Sequence, residues 1–108
     1  MTEKAPSPIR RYERVPLAKG ISVAWQESSR KEVSRIRTLG LGGMFIATPN
    51  PARISAILKL IFEVPNGDVR ARAVVRNVEP GAGMGIEFTG MNYEDRGRLT
   101  QLLKKLSS

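Results

Sequence analysis

Apolar and polar residues alternate along most of this chain, a pattern that predicts β-strands. Turns rich in glycine, proline and asparagine separate the runs, and residues 65–68 have the composition of a hairpin turn. About six strands result, spaced roughly ten residues apart, which is typical of a barrel or sandwich. The predicted inward residues are Ile21, Val23 and Trp25, then Ile54, Ala56, Leu58, Leu60, Phe62 and Val64, and finally Met84, Ile86 and Phe88.

Near the C-terminus the hydrophobic period changes from two residues to 3.6, which predicts a single helix over residues 92–106. Asn92 is its predicted N-cap, and the acidic first turn and basic last turn suit the helix dipole. We expect the apolar stripe to pack on one mouth or flank of the β-structure. The stripe consists of Leu99, Leu102, Leu103 and Leu106.

The 108 residues fit one domain with a core of its own. Residues 1–9 contain two prolines and few apolar residues, and this composition predicts a flexible N-terminal arm. An arginine-rich linker follows at 10–16, and strands are expected over residues 20–89. No secretory segment and no apolar run long enough to span a bilayer is evident, so a cytoplasmic protein without membrane insertion is expected.

Cysteine and histidine are both absent from the sequence. Their absence excludes disulfides, thiolate metal ligands, a cysteine nucleophile and a histidine general base. The ten acidic residues show no clustered, inward-facing pair in the sequence pattern, and the glycines of 40–43 match neither a Walker nor a dinucleotide fingerprint. The sequence therefore predicts neither an enzyme nor a metal or cofactor site.

A net charge of +8, from 18 basic and 10 acidic residues, favours an anionic partner, although basic residues also serve solubility. Arg10, Arg11 and Arg14 cluster just before the first strand, where a solvated basic arm is the alternative interpretation. Gly42 and Gly43 run into an apolar strand, which by itself indicates a turn or bulge with positive φ. Together these segments suggest a cationic arm that closes over a planar, anionic ligand.

Four segments, taken in order, resemble the PilZ domain family. They are RRYERVP at 10–16, LGLGGMFI at 39–46, GMGIEF at 83–88, and the C-terminal helix. The family fold is a six-stranded antiparallel β-barrel with one C-terminal helix, and its members are bacterial receptors for cyclic di-GMP. The resemblance implies this fold for residues 10–108 and cyclic di-GMP as the ligand.

The family binds its nucleotide through two motifs, which the resemblance transfers to six residues of this chain. The Arg-x-x-x-Arg motif falls on Arg10 and Arg14, which would stack on guanine and bind phosphates with help from Arg11. A guanidinium group is planar and permanently charged, so it suits both contacts. The second motif has Asp or Asn, then Ser, then Gly. Its positions here are Thr38, Gly40 and Gly43, of which only the final glycine matches.

Thr38 and Gly40 leave two functions open. Losing two hydrogen bonds to guanine would remove roughly 2–4 kcal/mol, a factor of about 30 to 1,000 in affinity. The first hypothesis is a cyclic di-GMP receptor whose arginine arm closes on the nucleotide and signals to an unidentified bacterial protein partner. The alternative is a degenerate PilZ domain that binds no nucleotide and serves as a protein-interaction module. Nucleic-acid binding ranks last, because no helix presents a basic recognition face.

Overall fold

Six antiparallel strands form a closed barrel in the computed structural model, which describes residues 14–107 apart from the side chains of residues 18, 19 and 107. One C-terminal helix follows the strands, so the predicted barrel-plus-helix fold is confirmed. The elements are β1 (Arg14–Glu27), β2 (Arg30–Gly40), β3 (Gly43–Ala47), β4 (Ile57–Val64), β5 (Gly67–Glu79), β6 (Gly83–Gly90) and α1 (Tyr93–Ser107).

The barrel consists of two three-stranded meanders that meet at two junctions. The strand order is β1-β2-β3-β6-β5-β4, and β4 pairs with β1 to complete the cylinder. The β1–β4 junction aligns Ala24 with Ile61, and the β3–β6 junction aligns Met44 with Ile86. Closure leaves no free sheet edge, which removes the unpaired backbone groups that an open sheet would expose.

The core lies inside the barrel and contains most of the predicted inward residues. Trp25 is 1% exposed, and its indole Nε1 donates to the Ser34 hydroxyl at 2.9 Å, which satisfies the polar end of a buried aromatic. Ile54 was predicted to face inward, but it is 60% exposed because it lies in the loop before β4. Residues at the ends of the alternating runs are only partly buried, namely Ile21, Ala56 and Phe88.

β1 begins at Arg14, seven residues before the alternating pattern becomes visible at Ile21. The register of β1 against β2 shifts between Pro16 and Ile21, and such an irregularity breaks the two-residue period that sequence analysis depends on. Arg14 pairs with Gly40 across the two strands. Arg14 therefore lies in a strand of the barrel rather than in a linker outside it.

Helix α1 begins as predicted, with the Asn92 side-chain oxygen accepting a hydrogen bond from the Asp95 amide at 2.7 Å. Its leucine stripe packs on the barrel, with Leu99 and Leu102 buried, Leu103 partly buried and Leu106 at the exposed end. No helix among residues 14–107 is long and apolar enough to cross a membrane.

The carboxylate of Asp95 attaches the start of α1 to β5. This side chain accepts hydrogen bonds from the Arg70 amide at 3.0 Å and from the Arg98 guanidinium at 2.7 Å. Asp95 is 6% exposed, so neither bond is easily replaced by water. One buried carboxylate therefore contributes to the position of the helix on the barrel.

We expect Asp95→Asn to lower the free energy of unfolding by about 1.5–3 kcal/mol, because an amide cannot accept hydrogen bonds with both terminal atoms and carries no charge. Urea denaturation measures the change. Glu94→Gln makes the same chemical change at an exposed neighbour in the same helical turn, and it should have little effect. Equal midpoints for the two variants would contradict the attachment of α1 through Asp95.

Candidate functional site

Four of the six residues predicted for the site come together on the outer face of the barrel, where β2 turns into β3. Arg14 on β1 pairs with Gly40 on β2, and Thr38 pairs with Pro16 on one side and with Phe45 on the other. Gly43 begins β3 next to the same turn. The other two predicted residues, Arg10 and Arg11, lie outside the described residues, so their place in the site stays a prediction.

Arg14 is held across the start of β3. Its guanidinium Nη2 donates to the backbone carbonyl of Ile86 on β6 at 3.1 Å. A Cβ atom at Gly43 would lie 2.9 Å from that nitrogen and would overlap the Ile86 carbonyl oxygen. The bare glycine therefore lets the arginine side chain cross β3 and lets β6 approach β3 closely.

Glycine is needed at position 43 because the Ile86 carbonyl and the Arg14 guanidinium lie so close to it, and not because of an unusual backbone angle. A positive φ was expected at Gly42 and Gly43, but the glycines with positive φ in the described chain are Gly67 and Gly81. The expectation of positive φ was therefore wrong. At Gly43, glycine is required because β6 approaches β3 too closely for a side chain. Gly83 has the same role at the other end of the junction, where a Cβ atom would overlap the Ile46 carbonyl oxygen.

The turn between β2 and β3 is fastened to β6. The Phe88 amide donates to the Gly42 carbonyl at 2.8 Å, beyond the last pair of the β3–β6 ladder. This bond holds the turn beside the Arg14 guanidinium. The floor of the candidate site is therefore a fixed part of the barrel, built from strands that are far apart in sequence.

Arg37 and Phe45 also belong to this surface, although sequence analysis assigned them no site role. The register between β2 and β3 shifts after Ile36, and Arg37 is left without a partner on β3. Its guanidinium carbon lies 5.6 Å from the centroid of the Phe45 ring, within the range of a cation–π contact. Alternation predicts that Phe45 faces outward, because its neighbours Met44 and Ile46 face inward. The register shift that brings Arg37 next to Phe45 has no local sequence signal.

Among the described residues, one carboxylate beside this surface is paired with an arginine. Glu87 lies opposite Gly43 in the β3–β6 ladder and accepts from the Arg76 Nε at 2.6 Å, and both side chains are about half exposed. The described residues contain no cluster of three or more acidic side chains that could hold a metal ion. Guanidinium groups around a floor of glycine backbone and one aromatic ring suit a flat anionic ligand.

Comparison with known proteins agrees with this architecture. The model of the PilZ domain family matches residues 8–105. No curated protein is similar enough in sequence to count as a match.

Several solved structures share the fold. The PilZ domain of YcgR from Escherichia coli, solved with cyclic di-GMP, is 17% identical with a TM-score of 0.75, and the match covers 92% of each chain. K. pneumonia MrkH in complex with cyclic di-GMP is 18% identical with a TM-score of 0.74, covering 94% of this chain and 52% of MrkH. The Bacillus subtilis inhibitor of motility MotI/DgrA is 18% identical with a TM-score of 0.73, covering 89% of this chain and 50% of MotI. The present chain thus spans about half the length of MrkH and MotI.

Gly43→Ala should lower the free energy of unfolding by about 1–3 kcal/mol, because the new methyl group forces β3 and β6 apart. Gly97→Ala is the matched control, since a Cβ atom there meets no atom within 4 Å. It lies inside α1 and should stabilise the protein by about 0.5–1 kcal/mol. Urea denaturation of both variants tests whether their free energies of unfolding change in opposite directions. Stabilisation by Gly43→Ala would show that the close approach of β3 and β6 does not require glycine at this position.

Proposed function

This chain belongs to the PilZ domain family, and from that premise we propose that it is a receptor for cyclic di-GMP. The observation that carries the proposal is the arrangement of Arg14, whose guanidinium crosses the bare backbone of Gly43 beside Gly40 and Thr38. Each of these residues occupies a position that the family motifs assign to the nucleotide. YcgR and MrkH, which share the fold, were solved with this nucleotide.

In the proposed complex, Arg14 exchanges its present acceptor for a phosphate. The Ile86 carbonyl is a neutral acceptor, whereas a phosphate oxygen carries a negative charge, so the exchange adds Coulomb attraction between two ionised groups to the hydrogen bond. The planar guanidinium can also stack on a guanine base. Arg10 and Arg11 add charge on the preceding segment, while Thr38 contributes a hydroxyl and Gly40 and Gly43 a floor of backbone.

The proposed signal is closure of the arginine arm over the nucleotide. Residues 10–13 would fold onto the outer face of the barrel and change the surface that a protein partner meets. Because the arm leads directly into β1, its position is coupled to a strand that pairs with both β2 and β4. The proposed role is binding rather than catalysis, in the bacterial cytoplasm.

Calorimetry with cyclic di-GMP, with GTP as the control ligand, tests the proposal. We expect saturable binding of the cyclic dinucleotide alone, and Arg14→Ala should weaken it by about 10- to 150-fold through the loss of a charge-assisted hydrogen bond. Arg53→Ala removes an exposed arginine from the loop before β4 and should leave the affinity unchanged. Unchanged affinity in a folded Arg14→Ala variant would refute the assignment of Arg14.

A second function is favoured by Thr38 and Gly40. The family motif has an acidic or amide side chain and a serine at these two positions, and their absence removes groups that would bind guanine edges. If the remaining arginines do not compensate, the chain is a degenerate PilZ domain that acts as a protein-interaction module. This alternative predicts no nucleotide binding at physiological concentrations, with the fold unchanged.

Restoring the motif separates the two functions. The double variant Thr38→Asp, Gly40→Ser should strengthen cyclic di-GMP binding by about 30-fold or more, since it returns two hydrogen-bonding groups. The single variant Thr38→Asp is a second measurement in case the buried position of Gly40 does not accept a side chain. If neither variant gains affinity, the altered motif does not explain weak or absent binding.

A further inference from the structure

A groove of about 1030 Å³ crosses the outer face of the barrel over the β1–β4 junction. We call it the basic groove, and it is lined by residues 24–26, 31–33, 59–61, 70–72 and 90–92. It shares no residue with the candidate nucleotide site, which lies over the β3–β6 junction. The protein therefore has a concave surface that nucleotide binding does not explain.

One row of side chains across the groove is basic. The strand registers align Lys31 with Gln26, Gln26 with Lys59, and Lys59 with Arg72, so that the row runs over β2, β1, β4 and β5. Three inter-strand spacings separate its ends, a distance of about 14 Å. The charge is therefore spread along a line, which a single small anion cannot span.

The neighbouring row consists of three apolar residues followed by the fourth cation of the groove. Val33 aligns with Ala24, Ala24 with Ile61, and Ile61 with Arg70. Val33 is 73% exposed, although its β-branched side chain would normally favour burial in a sheet. Met91 extends the apolar floor beyond β5. The groove thus has an apolar strip beside a basic one.

The charges of the groove are not neutralised internally. In the part of the chain that the structure describes, no ion pair involves Lys31, Lys59, Arg70 or Arg72. Glu32, the carboxylate that lines the groove, is paired with Arg30 at 2.9 Å. An occupant with carboxylates would therefore find four cations available.

We propose that the basic groove docks an acidic amphipathic helix of a partner protein. The closed barrel offers no edge for an added strand, whereas a helix about 10 Å wide can place apolar residues on Val33 and Ile61 and acidic residues on the cations. A nucleic acid would leave the apolar strip unmatched, and the aromatic ring in the groove, Trp25, is too buried to stack on bases. A second copy of this chain would meet its own charge of +8.

Fluorescence anisotropy of the full chain with a labelled designed peptide tests the inference. The peptide is about five turns long, with leucines at i, i+3, i+4 and i+7 and glutamates along both flanks. A control peptide has the same composition, but its leucines are spread around the helix. We expect saturable binding of the amphipathic peptide and affinity at least about tenfold weaker for the control.

Matched variants locate the binding surface. Arg72→Glu should weaken binding about tenfold or more, whereas Arg53→Glu, the same substitution at an exposed arginine outside the groove, should change it less than about twofold. Val33→Ser should also weaken binding, whereas Ile57→Ser should not, because Ile57 is 70% exposed but does not line the groove. The paired controls separate a groove effect from net charge and from general loss of exposed apolar surface.

Three results would overturn the inference. The first is no saturable binding of the amphipathic peptide up to about 1 mM. The second is equal sensitivity to the groove variants and to their controls. The third is tight binding of duplex DNA or of phosphatidylglycerol vesicles that Arg72→Glu abolishes and Val33→Ser leaves intact, since this would assign the groove to a phosphate surface. None of these measurements requires cyclic di-GMP, so the outcome is independent of the proposed nucleotide site.

Discussion

The close approach of β3 and β6 is the constraint on which the rest of this structure depends. Gly43 and Gly83 stand at the two ends of that junction, and each faces a backbone carbonyl of the opposite strand where a Cβ atom would not fit. The two meanders close into a barrel through this junction and through β1–β4. Closure in turn provides the interior that buries Trp25 and the barrel surface against which α1 packs.

The same junction also forms the candidate nucleotide site. Arg14 reaches the Ile86 carbonyl because Gly43 has no side chain, so one residue serves both strand pairing and the position of the arginine. The basic groove lies over the other junction, and β1 takes part in both surfaces, with Arg14 at its start and Ala24 near its end. A barrel of this size thus has room for a ligand at one junction and a protein partner at the other.

Local sequence patterns predicted those features that depend on residues close together in the chain. Alternation identified Trp25 as a core residue, and the change of period located α1 and its N-cap, Asn92. The residues 65–68 indicated a hairpin, and Val64 indeed pairs with Gly67. The family resemblance implied a barrel, where alternation alone had left a barrel and a sandwich open. The alternation, the change of period and the N-cap each have a physical basis in a fixed period or a local hydrogen bond.

Only the tertiary structure decided which strands lie side by side, and therefore which side chains share a surface. The sequence by itself determined the core pattern, the helix and the basic charge, and the family resemblance added the candidate residues Arg14, Thr38, Gly40 and Gly43. It did not determine the register shift that leaves Arg37 unpaired beside Phe45, or the rows that make the basic groove. These features arise from pairing between strands that are distant in the chain, and such pairing is decided by closure of the whole barrel rather than by any local period.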